Sequence, residues 1–215
     1  MCRVCDEAEK NKHEPGTQNC RKNHQGSSKS MEANIAIELF SNAITNGVSY
    51  STYVGNEDST TERSVITLIN YPNEKWSDIN HISRALGSRL YSAKAKVKGL
   101  TPLVIAYIKR CFSYCVNQNA VKPISLQEGQ STIVPHAFGE HETCKEWCRF
   151  KANPDNYTHS DLPGGKDLQG EDLRPCIEDA LQPFLTEEAT KKMAPVGSFG
   201  TMEGQRVVIT EQQLV

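Results

Sequence analysis

Val48-Ser49-Tyr50-Ser51-Thr52-Tyr53-Val54-Gly55-Asn56-Glu57-Asp58-Ser59-Thr60 carries the first decision about the fold. Its first seven residues alternate and are rich in Tyr, Ser and Thr, which is the pattern of a strand. Gly55 to Thr60 is then a turn that ends in a helix N-cap. Val65, Ile66, Leu68 and Ile69 extend this into a short helix that stops before Pro72. Upstream, Ala36, Leu39, Phe40, Ala43 and Ile44 recur at helical spacing behind Ser30, and Gly47 closes that helix. Downstream, Trp76 to Asp78 is a second, very short candidate strand. Ile79 opens a helix with Ile82, Leu86 and Leu90 on one face. Strands alternating with helices in this way predict an α/β, helix-rich fold.

Further along, Thr101-Pro102 supplies a cap and a first-turn proline for the most apolar helix of the chain, running to about Asn119. Residues 135–150 read as a His/Cys loop and 151–170 as a Pro-, Gly-, Asn- and Asp-rich loop. Leu173 to Leu185 reads as helical despite Pro175 and Pro183, and Arg206 to Thr210 as strand-like. The chain thus falls into four segments. Residues 1–30 are a polar Cys/His segment, and 31–100 an α/β core. Residues 101–170 are a helical insertion with the His/Cys loop, and 171–215 a helix and tail.

A length of 215 residues suits one domain, or one plus a small module. The hydrophobic share of 37% and charged share of 23% exclude collagen, a disordered tail and a coiled coil. Lys and Arg number 24 against 26 Asp and Glu, a net charge of −2, so any nucleic-acid contact must come from a local patch. Arg84, Arg89, Lys94, Lys96 and Lys98 are the candidate patch, read as the polar face of the helix opened by Ile79. The ordinary alternative is a solvated helix surface. The longest apolar run, Leu103 to Ala106, is far too short to span a bilayer, so no membrane partner is expected. No apolar stretch follows the opening Met-Cys-Arg-Val-Cys-Asp, so no secretory signal is expected either.

The eight cysteines fall largely into pairs with histidines nearby, which favours zinc in a reducing compartment over disulfides. The sharpest cluster is His136-x4-His141-x2-Cys144-x3-Cys148. Four nitrogen and sulfur donors within thirteen residues suit a tetrahedral zinc site. The plain alternative is two loop histidines and two reduced thiols. Cys2-x2-Cys5 is a second half-site, with His13, Cys20 and His24 all available to complete it. Cys111 and Cys115 share a helical face with Ile108, which favours core packing. Glu57 and Asp58 lie just past a strand end, where carboxylates can hold a divalent metal, although acidic turn residues are commonplace. Asp78-x2-His81 opens the next helix, with Asp78 a natural N-cap.

Six stretches then occur in order. They are Gly26 to Glu32, Gly55 to Thr60, Trp76 to His81, Lys109 to Tyr114, Val134 to Gly139 with Trp147-Cys148, and Leu162 to Leu168. Together they resemble the Mutator-like transposase domain of animal DNA transposons, from about Cys2 to Glu203. The resemblance implies an RNase H-like (DDE transposase) fold with a helical, zinc-containing insertion. It implies cut-and-paste transposition in the nucleus, acting on transposon ends. An Asp-Asp-Glu triad would hold two Mg²⁺ ions for in-line phosphoryl displacement. Asp58 looks like the second acid and Glu203 like the terminal glutamate. Asp78 and His81 resemble the Cys/Asp-x-x-His element between the second and third acids, and His136, His141, Cys144 and Cys148 a zinc element.

The departures are specific. The family's first aspartate precedes the C-x2-C element at which this sequence begins. Asn56-Glu57-Asp58 stands where more aspartates are usual, His24 where a tryptophan is usual, and Met202 where an asparagine is usual. The expectation is an N-terminally truncated copy with a partial RNase H-like core lacking its first strands. An uncovered sheet edge of that kind invites self-association. Such a chain is a transposase by descent, inactive as this fragment. The alternative is a non-catalytic zinc-containing module, derived from a transposase, that binds DNA or protein.

Overall fold

A computed structural model describes residues 3–17, 20, 24, 26–55, 59–69, 71, 73–195 and 206–208. The chain divides into two compact units. One holds residues 1–50, 59–72 and 210–215; the other holds 51–58 and 73–209.

The first unit contains helices α1 (Arg3–Lys10), α2 (Ser28–Thr45) and α3 (Ser59–Leu68). The Ser27 hydroxyl oxygen accepts the Ser30 backbone N–H at 3.1 Å, so α2 begins earlier than the sequence pattern from Ser30 predicts. Ala33, Ala36, Phe40 and Ala43 are its buried face, with Phe40 edge-on to Tyr50 at 5.3 Å. Leu39 and Ile44, expected on that face, are exposed, because the buried stripe is narrower than the apolar one. Gly47 follows the helix at φ +71°, where a side chain would be strained. α3 packs on α2, and Thr61 and Val65 are buried on it. α1 was not legible in the sequence. Ala8 is its one buried residue, so it has no apolar periodicity to read.

The second unit contains a three-stranded sheet in the order β2-β1-β3. β1 (Thr52–Gly55) pairs in parallel with β2 (Glu74–Ser77) and antiparallel with β3 (Arg206–Val208). The strand expected from Val48 is regular only from Thr52. All four β1 residues are buried, so β1 is a covered central strand and not a half-exposed alternating one. The register partners Gly55 and Ser77 bring the carboxyl ends of the parallel pair to one edge.

The α-helices of this unit are α4 (Ile79–Lys94), α5 (Pro102–Gln118), α6 (Pro123–Ser131), α7 (Ile133–Ala137), α8 (Arg149–Ala152), α9 (Leu173–Leu181) and α10 (Glu187–Met193), with loops between them. The protein is thus a helix-rich α/β arrangement with a small mixed sheet. Ile79, Ile82, Leu86 and Leu90 of α4 and Val104, Ile105, Ile108 and Phe112 of α5 belong to one core. Thr101 caps α5, its Oγ1 accepting the Val104 N–H at 3.3 Å. α9 ends at Leu181, four residues short of expectation, because Pro183 starts a tighter 3₁₀ turn at Gln182–Phe184. Cys115 is buried in this core and Cys111 half-buried against it, as their shared face predicts. No helix among the described residues is long and apolar enough to cross a membrane. α7 is short but firmly seated. Ile133, Val134 and Ala137 anchor it in the core, which fixes the direction of His136.

Candidate metal centre

His136, His141, Cys144 and Cys148 converge, although they come from a short helix, two turns and a helix N-cap. All four are buried, and their ligand atoms lie within 4.8 Å of one another. Both histidines turn Nδ1 inward, 3.1 Å apart. Cys144 Sγ lies 3.5 Å from His136 Nδ1 and 3.9 Å from His141 Nδ1; Cys148 Sγ lies at 3.7 and 3.4 Å. A zinc tetrahedron with bonds of about 2.05 Å to N and 2.3 Å to S has edges of about 3.3 Å for N–N and 3.6 Å for N–S. The N–S separations bracket their edge, the N–N separation falls about 0.2 Å inside its own, and the spread of 4.8 Å exceeds the S–S edge of about 3.8 Å, so the cluster could bind zinc after a small closing movement.

The protonation chemistry agrees. Burial, reinforced by the neighbouring His159 and His141, pushes His136 down to about 4, so its imidazole is neutral at pH 7. His141 is lowered too, by burial first and then by His159. Burial and the adjacent Cys148 push the Cys144 thiol up. Without metal the site is therefore two neutral rings and protonated thiol in a buried cluster. Taking up a divalent ion releases thiol protons and replaces them with metal–thiolate bonds.

A second layer orients the first. His136 Nε2 points away from the cluster and lies 3.2 Å from His159 Nε2. His159 Nδ1 lies 2.7 Å from Asp167 Oδ1. One proton arrangement satisfies the whole chain: His136 Nε2–H donates to His159 Nε2, and His159 Nδ1–H donates to Asp167. That arrangement leaves His136 Nδ1 unprotonated and facing the other ligands. The Tyr107 hydroxyl also approaches His159 Nε2, at 3.3 Å. His141 stacks on Phe150 at 4.1 Å, and His136 meets Trp147 edge-on at 4.9 Å. The Lys151 ammonium donates to the carbonyl of Cys144, which ties α8 to the ligand loop. The Asp167 segment is held against α7 by Leu168 N–H donating to the Ala137 carbonyl at 2.8 Å. Gly139 (φ +83°) passes so close to Asp167 that a Cβ there would stand 2.5 Å from Oδ2.

Sequence pattern alone does not mark His159 and Asp167 for chemistry. Asp167 belongs to the Leu162 to Leu168 stretch, but neither residue has a patterned partner within its own loop. Only folding that loop back on α7 reveals them.

A family model for Mutator-like transposases matches residues 1–148. The chain belongs to the Mutator-like transposase family. The match takes in the whole ligand cluster, ending on Cys148, and stops short of Leu162 to Leu168 and of Glu203. No curated protein and no solved structure matches the chain.

For a Mutator-like transposase the acidic residues are the other point of interest. Cys2, Glu57, Asp58 and Glu203 lie outside the described residues. Asp78 caps α4, its Oδ1 accepting the N–H of Asn80 at 2.7 Å and of His81 at 3.4 Å. His81 sits half-buried in the first turn of that helix. Of the basic residues, Arg84, Arg89 and Lys94 are on α4, whereas Lys96 and Lys98 lie in the turn beyond it. The single helical face expected is therefore a helix plus a turn. All five are exposed, and Arg89 is engaged by the backbone carbonyl of Asp179 at 3.2 Å. At the N-terminus, Cys5 Sγ and Cys20 Sγ lie 3.5 Å apart.

Proposed function

We propose that this chain is a DNA-binding, transposase-derived domain whose His136/His141/Cys144/Cys148 centre holds one structural zinc. The observation that carries the reading is the coincidence of two findings: the family match over residues 1–148, and a metal-ready donor set inside it. The zinc would tie α7, the ligand turns and α8 to the helical core, much as small metal domains gain their folding free energy from the ion. His136 and His141 would supply nitrogen, and Cys144 and Cys148 thiolate; the protein itself orients His136 through His159 and Asp167.

Under this reading Arg84, Lys94, Lys96 and Lys98 meet DNA phosphates, with Arg89 a weaker contributor because α9 engages it. Transposon ends in the nucleus are the natural target. In the resemblance, Asp58 and Glu203 are the acids for Mg²⁺, with Asp78 and His81 beside them. Gly55 and Ser77 are register partners that end the parallel pair at one edge of the sheet, and open α/β sheets hold ligands at such edges. Residues 1–215 offer two of the three acids, and Mg²⁺ gives up its water reluctantly. The polypeptide by itself is therefore expected to bind DNA without cutting it. Cys20 is proposed to complete the Cys2/Cys5 half-site, because its sulfur reaches Cys5 at a spacing close to the S–S edge of about 3.8 Å in a zinc tetrahedron.

The test is a paired assay on residues 1–215. Duplex binding should weaken steeply with salt, with a log–log slope of up to about −4.5 if five cations meet phosphates. Incubation with Mg²⁺ or Mn²⁺ should leave the duplex intact. Metal-dependent nicking that disappears in Asp58→Ala would replace the binding-only reading with a catalytic one. Salt-independent or absent binding would remove the DNA reading.

A further inference from the structure

Beside the metal centre, in the second unit, lies an open cleft of about 570 Å³, bounded by α5 on one side and the ligand loop on the other. That volume is in the range of sites that hold small organic ligands. Its lining is unusual for this surface. Three aromatic side chains are exposed among the described residues, Tyr91, Tyr114 and Trp147, and two of them, Tyr114 at 61% and Trp147 at 42%, line this one cleft. Arg110 and Arg149 line it as well. Asp161 is the one acid in the lining, and it faces Arg110 at 3.3 Å with both side chains about half exposed. An exposed pair of that kind is weak and yields readily to a competing anion.

From these observations we infer that the cleft takes one unstacked nucleotide of single-stranded DNA, its base against Tyr114 and Trp147 and its phosphate at Arg149 and Arg110. Flat aromatic surfaces with guanidinium groups at the margin are what an unpaired base and its phosphate need. Every base has a π-face, so such a site is tolerant of sequence. A basic helix surface would hold a duplex by its phosphates; this cleft would hold a base that has left the duplex. The inference rests on the DNA-binding reading above and extends it to the conformation of the DNA.

The metal centre positions one wall. Trp147 immediately precedes the ligand Cys148 and meets the ring of the ligand His136 edge-on at 4.9 Å, and His136 itself lines the cleft. Tyr114 stands on α5, which does not depend on the loop. Chelating the metal should therefore remove the Trp147 wall and leave Tyr114 in place.

The experiment uses a single-stranded thymidine tetranucleotide and the fluorescence of Trp147, isolated by Trp76→Phe since the chain has two tryptophans. The tetranucleotide should quench Trp147 saturably. Tyr114→Ala should weaken its binding on the order of tenfold, within the roughly 5- to 150-fold that loss of one stacking partner produces, and Arg149→Ala should weaken it and lower its salt dependence through loss of a phosphate contact. Tyr91→Ala, an exposed aromatic outside the cleft, should have no effect. Trp147→Ala, read by anisotropy of a labelled tetranucleotide, should weaken binding similarly while retaining its zinc. No quenching, or equal weakening by Tyr91→Ala and Tyr114→Ala, overturns the cleft assignment. If duplex binding with a steep salt slope persists in that case, the DNA reading stands and only the cleft fails. If the tetranucleotide quenches Trp147 but no duplex is bound, the cleft stands and the basic-patch reading fails.

Discussion

Asp167→Ala removes the carboxylate that holds His159 Nδ1 at 2.7 Å, and His159→Phe removes the acceptor 3.2 Å from His136 Nε2. Neither substitution touches a ligand atom, so both test whether the second layer sets the metal affinity. Partners of this kind typically contribute 10- to 100-fold to metal affinity, or about 1.4–2.8 kcal/mol. The Asp167 side chain is 48% exposed, so its charge is partly screened, and the lower end, about tenfold, is expected for Asp167→Ala. His159 is almost fully buried, and its loss leaves the buried His136 N–H without its acceptor. The upper end, about 100-fold, is expected for His159→Phe. The assay is zinc competition against a chromophoric chelator at pH 7, with the thermal midpoint of the metal-free protein as a control for folding. Zinc affinities indistinguishable from wild type in both variants would refute the orienting chain from Asp167 through His159 to His136.

Gly139→Ala should cost about 1–2 kcal/mol through its left-handed backbone alone, and more through the clash with Asp167, read as a lower urea midpoint; an unchanged midpoint would mean the turn can rearrange. Replacing Arg84, Lys94, Lys96 and Lys98 together with Ala should flatten the salt slope of duplex binding by about 3.6, and an unchanged slope would exclude them from the interface. Burial pushes the Cys111 thiol up to about 11 and the Cys115 thiol up to about 12. Both folded values lie above those of the unfolded chain. Their contribution to stability is thus complete below about pH 8.5 and falls as pH rises through about 11. Urea midpoints should decline over that window, and less so in Cys111→Ser.

The ligand set was legible because its four residues lie within thirteen positions and carry the donor types zinc prefers. The helices at α4 and α5 were legible for a similar local reason: Asp78 and Thr101 cap them, and their apolar residues recur on one face. α6 and α10 were missed. α6 buries only Leu126 and Gln130, and α10 only Thr190 and Met193, too little for a helical period to show. The alternation from Val48 misled because β1 has a neighbour on each side and is buried throughout. His159 and Asp167 depend on a contact across 23 residues, between His159 and His136, that no local spacing encodes.

Zinc content by elemental analysis tests the central claim most directly, on residues 1–215 purified without chelator and compared with Cys144→Ser and Cys5→Ser. The account predicts two equivalents of zinc: Cys144→Ser loses the one held with His136, His141 and Cys148 and keeps the N-terminal one, and Cys5→Ser does the reverse. Zinc-free wild-type protein, or the same zinc content in wild type and Cys144→Ser, would contradict it.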